Sequence, residues 1–184
     1  MYFSLDLTRA RDARAKVYVA HRQSTSADLA AALEQCPGFN PHSIHRWLDC
    51  LLGGRGPFHE RPPITCFAFN RDSLDLHTTT LHLPVRCHAS DDFEVARQVC
   101  KLLRFPQRVS YMRAVTGVAE RPLEDGPGLQ TYVSLRPSPG KQAVTVYLAP
   151  QLYTGTSARP VESGLTLFGG LDEPRARSER RAPA

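Results

Sequence analysis

At 184 residues, with a net charge of +5 and 22 % charged residues, the chain is long enough for one domain with a sizeable core. No apolar run approaches the roughly 18–20 residues of a membrane-spanning helix. Five scattered cysteines (Cys36, Cys50, Cys66, Cys87 and Cys100) without a CxxC pair or a leader-like N-terminus exclude a disulfide scaffold and predict reduced thiols in a cytoplasmic protein.

Residues 2–7 and 14–21 read as two strands around a charged turn. Residues 26–36 carry apolar side chains at helical spacing behind Thr25, and Pro37-Gly38 stops that helix. Asn40 and Pro41 open a second helix, whose stripe is Ile44, Trp47, Leu48 and Leu51 and whose end is Gly53-Gly54. A Gly/Pro loop covers 54–63. Residues 64–70 and 75–85 form a second strand pair, rich in β-branched and aromatic side chains. Ser90-Asp91-Asp92 caps a third helix, with the stripe Phe93, Ala96, Val99, Cys100 and Leu103. A fourth helix covers about 107–119. Residues 130–136 and 143–149 make a third strand pair around Pro137-Ser-Pro-Gly-Lys141, a hairpin signal. The composition of 156–184 predicts a mostly disordered basic tail after a domain of residues 1–155.

The chain repeats itself. Tyr18, His82 and Tyr147 are 64 and 65 residues apart, and Lys16, Thr80 and Thr145 stand two residues before each. Thr25 and Ser90 are 65 apart, as are Pro41 and Pro106. Fixed-period similarity means one supersecondary unit used several times. Here the unit is strand, strand, helix, helix. It occurs twice and is followed by a third strand pair.

Strand side chains alternate between faces. Val17, Val19, Leu81, Leu83, Val133, Leu135, Val144 and Val146 fall on one face, the one that must receive the helices. The other face carries Arg14, Lys16, Tyr18, Thr80, His82, Gln130, Tyr132, Ser134, Arg136, Thr145 and Tyr147. That polar face is either the wet side of an open antiparallel sheet or the lining of a barrel closed with its helices outside. Three tyrosines on that face, two of them at matching positions, favour the second.

The strand Arg14-Ala-Lys16-Val-Tyr18 resembles the R-x-K-x-Y strand of aromatic prenyltransferases of the dimethylallyltryptophan synthase type. Residues 81–86, ending in Pro84-Val-Arg86 before a Ser-Asp helix start, resemble that family's strand ending in Pro-x-Arg. The stretches around Tyr132 and Tyr147, 15 apart, resemble its terminal hairpin. The resemblance covers roughly residues 1–153. It implies an α+β fold, a partial antiparallel αββα prenyltransferase (PT) barrel with three of five strand pairs and helices outside. It implies metal-independent transfer of a dimethylallyl group from dimethylallyl diphosphate to an indole or tryptophan-type acceptor in alkaloid metabolism. It assigns Arg14, Lys16, Thr80 and Arg136 to the diphosphate and Tyr18, His82, Tyr132 and Tyr147 to a shield around the allyl cation. No catalytic base, cofactor or metal ligand is assigned.

The departures are His82 where the family has Tyr, Thr80 where it has Gln or Lys, and an offset Arg136. The length is the larger one. Two strand pairs, with the acidic residue that deprotonates indole, are missing on the N-terminal side, so the chain is expected to be the C-terminal portion of such an enzyme, arising from a truncated gene, a late start codon or a split protein whose missing half is a separate chain. The competing readings are a non-catalytic remnant that binds diphosphate or a partner, and a basic domain binding nucleic acid through Arg. No nucleic-acid signature is present, and neither nucleic acid nor membrane is an expected partner.

Overall fold

A computed structural model of the chain describes residues 1–6, 13–34, 36, 38–54, 56–70, 75–138 and 141–149. The chain divides into two units, Met1–Leu152 and Tyr153–Ala184. The second lies outside the described residues, and so does the expectation of a disordered tail. No described helix is long and apolar enough to cross a membrane.

Ten elements follow the repeat. They are β1 (Tyr2–Leu5), β2 (Arg14–Ala20), α1 (Ser26–Leu33), α2 (Pro41–Leu52), β3 (Ile64–Asn70), β4 (Leu76–Leu83), α3 (Asp92–Leu102), α4 (Phe105–Val118), β5 (Gln130–Ser138) and β6 (Lys141–Leu148). The strands form one six-stranded sheet in sequence order, every neighbouring pair antiparallel. This is the α+β, PT-barrel-like arrangement that the family resemblance implied.

The helix starts are chemically specified. Thr25 and Asp28 form a capping box, the Thr25 hydroxyl accepting from the Asp28 N–H and the Asp28 carboxylate accepting from the Thr25 N–H. Asn40 accepts from His42 N–H at 2.9 Å, with Pro41 in the first turn, and Gly53 ends α2 at a φ of 71°. On α3 the capping residue is Asp91, accepting from Glu94 N–H at 2.7 Å, and not the Ser90 that the 65-residue spacing from Thr25 suggested.

The core lies between the helices and one sheet face. Leu29, Leu33, Ile44, Leu48 and Leu51 pack there with Leu81, Leu83, Val133 and Leu135, all without exposed surface. Each such side chain contributes about 1.5–3 kcal/mol of burial. Val146 packs at the edge of this cluster.

Three sequence expectations shift. Phe93 is 45 % exposed, because the buried face of α3 is set by Asp92, Val95, Ala96 and Val99. Val17 does not join the helix-packed core. It lies opposite Phe3 and Phe67, and Phe3 and Leu5 on β1 remain 61 % and 59 % exposed on that same face. The third shift is Gln130. A β-bulge between Gln130 and Tyr132 interrupts the period of two and turns Gln130 to the helix side. There it is fully buried, donating to the Asp92 carbonyl at 2.6 Å and accepting from the Tyr111 hydroxyl.

That contact belongs to a buried network. The Asp92 carboxylate accepts from the N–H groups of Gly128, Leu129 and Gln130 at 3.3, 3.0 and 2.9 Å and pairs with Arg121 at 2.7 Å. Asp92 thereby fixes where β5 begins, and β5 carries Tyr132 and Ser134.

Candidate functional site

The registers place the polar side chains in rows across the sheet face opposite the helices. One row is Ser4, Lys16, Ala68 and Thr78. The next is Tyr2, Tyr18, Cys66 and Thr80. A third runs Ala20, Ile64, His82, Ser134 and Thr145, and Tyr132 pairs with Tyr147 beyond it.

Ring contacts join these rows. Tyr2 and Tyr18 stack with centroids 4.4 Å apart. Tyr18 lies 6.3 Å from His82, and His82 lies 6.0 Å from Tyr147, both pairs tilted. Four rings from β1, β2, β4 and β6 thus form a continuous aromatic row. Tyr18, His82 and Tyr147 are the residues of the 65-residue period, and all three stand on one face.

His82 is buried, and its Nδ1 is 2.5 Å from the Ser134 hydroxyl. Burial pulls its pKa down to about 4, so at neutral pH the ring is uncharged. Burial, with Cys66 alongside, pushes the Tyr18 phenol up to about 12, and Ser4 and Cys66 hydrogen-bond to it. Burial raises Tyr2 and Tyr132 as well. Tyr2, Tyr18 and His82 are therefore neutral rings.

The cations stand at one end. Arg14 and Lys16 project from β2 on the side of Tyr18, as the alternation required. They do not stand alone. Asp6, one residue past β1, accepts from Arg14 at 3.0 and 3.1 Å and from the Lys16 ammonium at 2.5 Å. The Lys16 hydrogen bond above all holds its carboxyl below the usual range. Asp6 is held there by its own N–H, which donates to the Arg14 carbonyl at 3.0 Å.

The other expected positions are more dispersed. Thr80 lies opposite Cys66, in Tyr18's row. Arg136 is exposed on β5 opposite Ala143, three strand spacings, or about 14 Å, from β2. Tyr132 lies at the far end from Lys16, about 20 Å along the strand direction. Its hydroxyl accepts from Arg61, in the loop before β3.

Tyr2, Ser4, Asp6 and Arg61 are absent from the motif-based reading. The first three carry a signal in the sequence, since they alternate with Phe3 and Leu5. Arg61 carries none, because its approach to Tyr132 depends on the path of a loop.

No protein-family model matches the chain. Solved structures do. The 6-dimethylallyltryptophan synthase of Micromonospora olivasterospora, in complex with DMASPP and Trp, is 30 % identical with a TM-score of 0.72, over 81 % of this chain and 43 % of that one. The 5-dimethylallyl tryptophan synthase of Streptomyces coelicolor, also in complex with DMASPP and Trp, is 27 % identical with a TM-score of 0.73, over 90 % of this chain and 47 % of that one. PriB, in a binary complex with product diphosphate, is 27 % identical with a TM-score of 0.70, over 81 % and 43 % of the two chains. The chain therefore spans less than half the length of each.

Proposed function

We propose that this chain, a partial PT barrel of the dimethylallyltryptophan synthase family, binds an allylic diphosphate and serves in transfer of a dimethylallyl group to an indole or tryptophan-type ring. The observation that carries the reading is one face of one sheet on which Arg14 and Lys16 adjoin a row of rings, Tyr2, Tyr18, His82 and Tyr147.

The chemistry follows from charge. The C–O bond of the allylic diphosphate breaks and the diphosphate keeps the electron pair. Arg14 and Lys16 stabilise the growing negative charge through charge-assisted hydrogen bonds. The allyl cation lies against the rings, each of which attracts a cation by about 0.5–2 kcal/mol depending on desolvation. The rings also keep water from capturing it. A protonated His82 would repel that cation, and its lowered pKa keeps the ring neutral. The acceptor ring then attacks through carbon and loses a proton. None of these side chains is assigned as the base.

The aromatic row reaches Tyr2 on β1 and Tyr147 on β6, and these are the outermost strands of the sheet. We read both edges as seams for further strand pairs, supplied on the same polypeptide or by a second one. Transfer is expected only when the sheet is completed. The five free thiols support a reducing, cytoplasmic setting. The open edges also favour a second reading, a diphosphate-binding remnant without transfer activity.

Calorimetry with a non-hydrolysable allylic diphosphate analogue tests the site. Arg14→Ala and Lys16→Ala should each weaken binding by about 1.5–3 kcal/mol. Unchanged affinity in both removes them from the site. Mass spectrometry after incubation with tryptophan and dimethylallyl diphosphate, with and without the remaining strand pairs, separates transferase from remnant.

A further inference from the structure

We infer that Asp6 is a built-in counter-anion that occupies the Arg14–Lys16 pair in the absence of diphosphate and sets how tightly an anion is held there. The inference rests on the diphosphate reading above and adds a specificity-determining residue to it.

The geometry is that of a bound anion. One Asp6 oxygen receives both Nε and Nη2 of Arg14, at 3.1 and 3.0 Å, and the other receives Nζ of Lys16 at 2.5 Å. These are the directions from which a phosphate oxygen would be gripped. The Asp6, Arg14 and Lys16 side chains are 18 %, 35 % and 24 % exposed, so solvent and solutes reach the group. The carboxylate comes from a different strand than its partners. Only the pairing of β1 with β2 brings it there, together with the N–H of Asp6 on the Arg14 carbonyl.

Two consequences follow from charge alone. The cluster carries a net charge of about +1 rather than +2, which limits the affinity for a multiply charged anion and favours release of the departing diphosphate. An incoming diphosphate must also displace the carboxylate or share the cations with it. The lowered pKa of Asp6 means that its charge is present at neutral pH. Asp6 acts on the ligand through Arg14 and Lys16 and by repulsion. It is not assigned to the chemistry.

The test is isothermal titration of the full chain with inorganic diphosphate, comparing wild type with Asp6→Asn. The amide keeps the size and one acceptor while removing the charge. Asp6→Asn should tighten binding on the order of tenfold and steepen its dependence on salt. Circular dichroism and melting temperature report that the sheet is intact, and Asp6→Glu, which restores the charge, should return affinity toward wild type. Equal or weaker binding by folded Asp6→Asn overturns the inference and makes Asp6 a support for its two cations. Absence of binding by both folded proteins overturns the diphosphate reading itself, and the inference with it.

Discussion

Lowering the pH from 7 to 5 should remove about 2 kcal/mol of folding stability through His82 alone. The ring is 7 % exposed, and burial moves its pKa from 6.5 to about 4. The folded state therefore favours the neutral imidazole. A depressed pKa gives a contribution that is fully present above the unfolded value and is lost as pH falls through the window from 6.5 to about 4. His21 and His88 are shifted in the same direction by burial and add to the loss. The carboxyls of Asp6, Asp28, Asp91 and Glu94 are shifted downward, so their contributions disappear at lower pH and leave this window to the histidines. His82→Gln keeps a polar group beside Ser134 and does not titrate. Urea unfolding followed by circular dichroism at both pH values, on both proteins, gives the difference. Wild type should lose about 2 kcal/mol more than the variant between pH 7 and pH 5. Equal losses would refute both the neutral ring and the role proposed for it beside a cation.

Asp92→Ala should cost about 3–5 kcal/mol, because it leaves three buried backbone N–H groups of 128–130 without their acceptor and removes the ion pair with Arg121; a urea-unfolding loss below about 1 kcal/mol would contradict this. Gly56→Ala should lower stability by about 1–3 kcal/mol, since Gly56 has a φ of 83° and a Cβ there would meet the Ser24 carbonyl at 2.8 Å; an unchanged melting temperature would show that the loop yields. Phe3→Ser with Leu5→Ser should reduce self-association seen by light scattering without loss of stability, because both side chains stand exposed on an outer strand. Unchanged association would place the sticky surface elsewhere.

Period and alternation were legible from residues alone wherever the ladder is regular. Tyr18, His82 and Tyr147 stand on one face because β2, β4 and β6 each keep a strict period of two through these positions. The same rule failed at Gln130, where one extra residue in β5 reverses the face. Nothing in the local composition marks that bulge. It lies next to three successive N–H groups that donate to the Asp92 carboxylate, a residue up to 38 positions earlier. Burial of Asp92 explains Phe93. Read by hydrophobicity, α3 faces inward with Phe93, but a carboxylate with four partners occupies the inner position instead. Ser90 and Asp91 are both able to cap a helix, and sequence does not choose between them. Asp6 was hidden for a different reason. Its charge was visible, but its partners are set by the register of β1 against β2, a tertiary property.

Why a row of rings forms here, instead of a packed layer, follows from what stands between them. The aromatic side chains come from β2, β4 and β6, with Tyr2 added at the edge. Between the contacting rings, the intervening strands present Cys66 and Ala68 from β3 and Ser134 from β5, with Ile64 and Tyr132 further along the same face. Neighbouring strands are about 4.8 Å apart, so rings on alternate strands start almost 10 Å apart. Small residues between them let the rings lean until their centroids are 6.0–6.3 Å apart. The tilted rings then offer faces and edges to a ligand above the sheet. A bulky residue in place of Cys66 or Ser134 would separate them and fill that space. Small side chains thus stand beside Tyr18 (Cys66) and on one side of His82 (Ser134), whereas Ile64 on the other side of His82 and Tyr132 beside Tyr147 are large. The helix side shows the opposite logic, with Leu81, Leu83, Val133 and Leu135 filling space completely. One sheet thus supports a close-packed face that holds the fold and a second face lined by the rings of Tyr2, Tyr18, His82 and Tyr147.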